Sequence, residues 1–129
     1  NCSTNEKEDN IFAYIDELRI GDKVQKIPDN AFFVAEITSV HLPETLTSIG
    51  KNAFLYSSFT SINIPESVTY IGDGAFLGSA LTSVTVPSSI TYISPKTFQS
   101  CSSLTSVTIP HSVTYIGSDA FFAVRILRK

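Results

Sequence analysis

The 129 residues carry a net charge of −3, with 43% hydrophobic and 16% charged positions, which is enough apolar material for one domain with a real core and excludes a disordered chain. No run approaches the roughly 18 to 20 apolar residues of a membrane-spanning helix. The charge is uneven, nine acids against four bases in residues 1–44 and three against five in residues 45–129, and neither half has the basic stripe of a nucleic-acid binder.

Residues 1–10, NCSTNEKEDN, are polar without periodicity and read as a flexible tail or tether. Residues 11–20, IFAYIDELRI, fit a helical stripe and a strand alike by periodicity. Register favours the strand, because Ile15, Leu18 and Ile20 lie 22 residues before Ile37, Val40 and Leu42. This segment is expected to be a degenerate N-terminal cap strand, with Asp16, Glu17 and Arg19 charging a free edge.

From residue 21 the chain is an internal repeat. Phe32, Phe54, Phe76, Phe98 and Phe121 are spaced by 22, 22, 22 and 23 residues, and Pro43, Pro65, Pro87 and Pro110 by 22, 22 and 23. Both ladders share one insertion, located in residues 99–103. A period of this size implies stacked supersecondary units that cannot bury their apolar faces alone, so residues 11–129 form a single solenoid domain, with repeats over 21–121. In each copy, positions such as Leu104, Val107 and Ile109 face inward along a short strand ended by Pro110, which cannot donate to a central ladder. Val113 and Ile116 make a second apolar pair with Thr114 and Tyr115 between them. Gly117 supplies a tight turn, and a brief capped helical turn should follow, driving each Phe inward. The columns Val40, Ile62, Val84, Val107 and Leu42, Ile64, Val86, Ile109 become the inner face of a parallel sheet. Residues 122–129, FAVRILRK, leave the consensus and read as a C-terminal cap charged by Arg125, Arg128 and Lys129.

The combination LTSVTIP, SVTYIG and DAF, with Cys101 three residues after Phe98, resembles the BspA-like leucine-rich repeat of bacterial and protozoan surface proteins. The resemblance covers about residues 15–121. It implies a right-handed leucine-rich-repeat solenoid with a parallel sheet on one side, short helical turns or loops elsewhere and a 22–23-residue period. It also implies display at the cell surface or secretion, and adhesion to extracellular proteins or to other microbes. Ser94-Pro95 and Thr97 depart from the pattern, and since the motif consists of framework residues it carries over no binding residue.

Function must therefore sit on outward positions. The hydroxyl columns Thr38, Thr60, Thr82, Thr105 and Ser39, Ser61, Ser83, Ser106, with His41, Asn63, Thr85 and Thr108, offer either a hydrogen-bonding face for a protein or glycan or simply solvent-facing strand residues. The column Lys26, Ser48, Tyr70, Tyr92, Tyr115 places one tyrosine outward on each of three turns, either for an interface or for stacking between turns. Cys2, followed by a polar linker, looks like the start of a lipoprotein, although Asn1 is not the small residue usual before such a cysteine. Two cysteines are too few for a disulfide framework, and Cys101 is expected to be a packed thiol. His41 and His111 lack partners at metal-ligand spacing, and no nucleophile has a base beside it. The expectation is a monomeric, non-enzymatic binding module without cofactor or metal, engaging an extracellular protein or glycan. A structural spacer with no ligand of its own is the alternative, and a membrane is met only through a lipid on Cys2.

Overall fold

The computed structural model describes residues 14–33 and 36–124; the expected tail, Cys2 and most of the C-terminal cap lie outside them. The chain winds through nine short strands: β1 Tyr14–Arg19, β2 Lys26–Ile27, β3 Glu36–His41, β4 Ser48–Ile49, β5 Tyr70–Ile71, β6 Ser83–Thr85, β7 Tyr92–Ile93, β8 Ser106–Thr108 and β9 Tyr115–Ile116. Every pairing is parallel and joins equivalent positions of adjacent turns. Ile15 faces Ile37 and Leu18 faces Val40, Ser48 faces Tyr70, Val84 faces Val107 and Tyr92 faces Tyr115. The β1–β3 register is the 22-residue offset expected from the sequence. Strands β1, β3, β6 and β8 belong to one side of the solenoid, and the shorter β2, β4, β5, β7 and β9 to a second.

Among the described residues no helix is present, which corrects the expected helical turn. The reason lies in the backbone. Asn30, Asn52, Gly74, Lys96 and Asp119 occupy one column and all have φ between 55° and 65°. A left-handed residue interrupts right-handed propagation, and Asn, Asp and Gly bear it at least cost. A second left-handed column holds Tyr56, Gly78, Ser100 and Ala123. Between them the amides alternate. Ala53, Leu55 and Ser57 close i−3 turns onto Gly50, Asn52 and Phe54, while Asn52, Phe54 and Tyr56 donate across to Asp73, Ala75 and Leu77 of the next turn at 2.8–3.0 Å. The pattern recurs over residues 74–79 and 96–101, so this elbow is a hydrogen-bonded ladder that satisfies each of these donors.

The phenylalanines form the expected buried ladder. Rings 32, 54, 76, 98 and 121 stack in succession with centroids 5.5–5.8 Å apart and planes within 15°. Phe54, Phe76 and Phe98 are sealed from solvent, each burial contributing about 1.5–3 kcal/mol. Phe59 adds edge-on packing against Phe54 at 5.4 Å and Phe76 at 6.4 Å. The inward columns are buried in the middle, except that Val40 and Ile62 are only partly so. The expected continuous sheet is interrupted there, since Ile62 and Ile64 lie in no strand, and the columns are exposed at the last turn. Val86 and Ile93 are 3% exposed, whereas their equivalents Ile109 and Ile116 are 39% and 48% exposed, because no further described turn covers them. The insertion in the fifth turn is confined to exposed Ser102 and Ser103, and β6–β8 pair in register beyond it.

Candidate partner-binding faces

The outward side of the short strands carries the row expected from the sequence. Lys26, Ser48 and Tyr70 are paired in register on β2, β4 and β5, and Tyr92 pairs with Tyr115 on β7 and β9. Exposure rises along the row: Tyr70 is half-buried, Tyr92 is 40% and Tyr115 60% exposed. The neighbouring Ile49, Ile71 and Ile93 point inward, so strand alternation forces the tyrosines out. Among the described residues every ring–ring contact is between phenylalanines, so none of these tyrosines is held by a neighbouring ring. The Tyr70 phenol is pushed above its ordinary range, first by burial, then by Tyr92 and Asp73, with Lys51 opposing. Tyr70 therefore presents a neutral, amphipathic ring at physiological pH.

The hydroxyl columns of the strand face are partly engaged in the framework. Thr82 and Thr105 each donate through Oγ1, at 3.3 Å, to the carbonyl of Thr60 and Thr82 respectively, the same carbonyls their own amides reach. Thr47 and Thr69 do likewise on the other side. Exposed Thr85 and Thr108 make no such bond and face each other on β6 and β8. Asn63 and Thr85 share a cleft of about 320 Å³ with Ser61, Ile62, Ile64, Glu66 and Pro87. His41 lies apart, in a cleft of about 300 Å³ with Asp22, Leu42, Pro43, Glu44 and Thr45.

Sequence reasoning missed two further groups. Tyr56 is 54% exposed and lies against Gly78, where a Cβ would sit 2.3 Å from its ring. Phe33 and Phe122 are 53% and 59% exposed on the elbow, one residue after the stacked Phe of their turns. The doubled aromatics Phe32-Phe33 and Phe121-Phe122 were the available signal, since only one ring of each pair can enter the ladder.

No group of three or more His, Cys, Asp or Glu side chains among the described residues is placed to hold a metal, and no described helix is long and apolar enough to cross a membrane. Cys101 is a free, buried thiol. It donates to the Phe76 carbonyl at 3.0 Å and lies 3.2 Å from Ser79 Oγ. Burial raises its pKa, partly countered by the hydrogen bond from Ser79, so it is an inert packing group.

The fold is similar to several solved bacterial structures. A leucine-rich cell surface protein from Faecalibacterium prausnitzii is 25% identical, with a TM-score of 0.57 over 87% of this chain and 41% of that one. The pneumococcal vaccine antigen PcpA is 22% identical, with a TM-score of 0.72 over 89% of this chain and 34% of that one. A leucine-rich repeat protein of T. pallidum is 22% identical, with a TM-score of 0.60 over 83% and 62%. The chain thus spans less than two thirds of each. No protein with a curated description matches it. Over residues 8–128 the sequence matches the BspA type leucine rich repeat region in six copies, and the chain belongs to that family.

Proposed function

We propose that this chain is a non-enzymatic binding module, displayed at a cell surface or secreted, that engages an extracellular protein or glycan in an adhesion-type contact as a monomer. One observation carries this reading: Tyr70, Tyr92 and Tyr115 stand outward on successive turns without a ring partner. Large amphipathic rings on a rigid backbone give contact area at little entropic cost. Lys26 and Ser48 extend the row, while Thr60, Thr82, Thr105, Asn63, Thr85 and Thr108 are the polar candidates of the other side. The F. prausnitzii protein is described as a cell surface protein, which supports the location. Cys2 would be the point of lipid attachment, and an unmodified thiol in the N-terminal peptide from native membranes would remove the anchor.

The test is a binding screen against matrix proteins and glycans with a folded Tyr70→Ser, Tyr92→Ser, Tyr115→Ser triple variant. Binding by the native chain and its loss in the variant is expected; equal binding by both would overturn the assignment. The alternative, a spacer domain without a ligand, draws support from the threonines whose hydroxyls are spent on internal bonds.

A further inference from the structure

The polar corner that follows the strand side differs from turn to turn. Its column reads Asp22, Glu44, Glu66, Ser88, His111, one residue per turn. Glu44 is followed one turn on by another acid, whereas Glu66 is followed by a hydroxyl. Oε1 of Glu66 accepts from Ser88 N–H at 3.0 Å and from Ser88 Oγ at 2.7 Å. Two donors therefore hold one oxygen of this carboxylate in place, while among the described residues Oε2 enters no hydrogen bond or ion pair. Glu66 borders the cleft of about 320 Å³ lined also by Ser61, Ile62, Asn63, Ile64, Thr85 and Pro87, a volume at the lower end of small-molecule sites, roughly 300 Å³. Buried Ile64 and Pro87 and half-buried Ile62 lie beneath exposed Ser61, Asn63 and Thr85. The side chains of these last three make no hydrogen bond among the described residues. The cleft at His41 is built differently: it holds two carboxylates, Asp22 and Glu44, and its Thr45 hydroxyl is committed to the carbonyls of Asp22 and Val24 at 2.7 and 2.9 Å.

The free groups of the Glu66 cleft select their ligand. The carboxylate only accepts hydrogen bonds, whereas the Asn63 amide and the hydroxyls of Ser61 and Thr85 both donate and accept. An ammonium or guanidinium only donates, so it would leave the Asn63 N–H groups unmatched, and an anion would meet the charge of Glu66. A neutral diol donates to the carboxylate and accepts from the amide. The C–H edges of a sugar ring suit the apolar residues beneath. We propose that the cleft of Asn63, Glu66 and Thr85 is a binding site for a neutral hexopyranose unit, one hydroxyl of a vicinal pair donating to Glu66 Oε2 and the other accepting from the Asn63 side-chain amide. Bonds to an ionised acceptor are the stronger kind, and a carboxylate already fixed by Ser88 loses little freedom on binding. This inference rests on the glycan arm of the function proposed above and names the ligand class of its polar side; it is separate from the tyrosine row.

The experiment titrates the isotopically labelled full chain, followed by NMR of its amides, with methyl α-D-mannopyranoside, methyl β-D-galactopyranoside and methyl β-D-glucopyranoside, and with a hexapeptide of alternating Thr and Lys. At least one hexoside is expected to give saturable shifts at the Asn63 side-chain amide and at the backbone amides of Thr85 and Ser88. Glu66→Gln keeps an acceptor for Ser88 but removes the charge, and should bind roughly ten-fold more weakly, since a hydrogen bond to a charged group is of that order. Ser88→Ala frees the carboxylate and should weaken binding several-fold, and Ser88→Thr, which keeps the hydroxyl, should restore it. All three changes are at exposed positions, away from the phenylalanine stack. The triple tyrosine variant should bind the hexoside as the native chain does. No saturable shift with any of the three hexosides, equal binding by folded Glu66→Gln, or binding of the hexapeptide in their place would each overturn the proposal and leave the tyrosine row to its own screen. Loss of hexoside binding in the triple tyrosine variant would also overturn it, by moving the sugar to that row.

Discussion

The elbow and the strand side of the same solenoid are built to different tolerances. In the elbow, amides alternately close their own turn and reach the next one at residues 52–57, 74–79 and 96–101, over a continuous phenylalanine stack. On the strand side the ladder stops at β3 and resumes at β6. The difference indicates that register is fixed at the elbow, where left-handed columns and stacked rings leave one geometry. The strands can then vary, or open, without loss of the fold. Stability in such arrays is a sum of turn and neighbour terms, so substitutions on the two sides should separate cleanly.

The sharpest separation should come from Phe76→Ala, which empties the centre of the stack and is expected to cost about 3–5 kcal/mol in chemical denaturation, a large part of a domain's usual 5–15 kcal/mol. If the loss were below about 1 kcal/mol, the elbow would not be the source of stability argued for it. Next is Gly72→Ala. A Cβ there would lie 2.7 Å from the Lys51 amide nitrogen, and relieving such overpacking should cost about 1–3 kcal/mol, read as a lower denaturation midpoint. Ser94 occupies the same column and offsets its bulk by donating to the Ile71 carbonyl at 2.6 Å, so Gly72→Ser should be milder than Gly72→Ala. Smallest is Thr82→Val on the strand side, which removes one exposed hydroxyl bond to the Thr60 carbonyl and should shift stability by about 0.5 kcal/mol. A cost like that of Phe76→Ala would erase the contrast between the two sides.

The architecture was legible because it rests on covalent spacing: the Phe and Pro periods name every rung, and Ile15 and Leu18 found their partners on register alone. The elbow was misjudged as helical because polar residues that suit a helix cap also suit a left-handed turn; Asn52 and Asp119 satisfy both descriptions, and only their φ values of 55° and 61° separate them. The outward tyrosines followed from alternation. The cleft at Asn63 and Thr85 did not, because it is lined by side chains of two adjacent turns, 22 residues apart in the chain, whose relative placement no single repeat encodes.

The extra residue at the fifth turn has a practical consequence. Ser100 N–H still reaches the Phe122 carbonyl at 2.8 Å and Thr105 N–H the Thr82 carbonyl at 3.0 Å, so the length added between them is absorbed as a bulge. That corner is a permissive graft point, where an epitope tag or a reporter loop could be spliced into the array with both halves kept in phase.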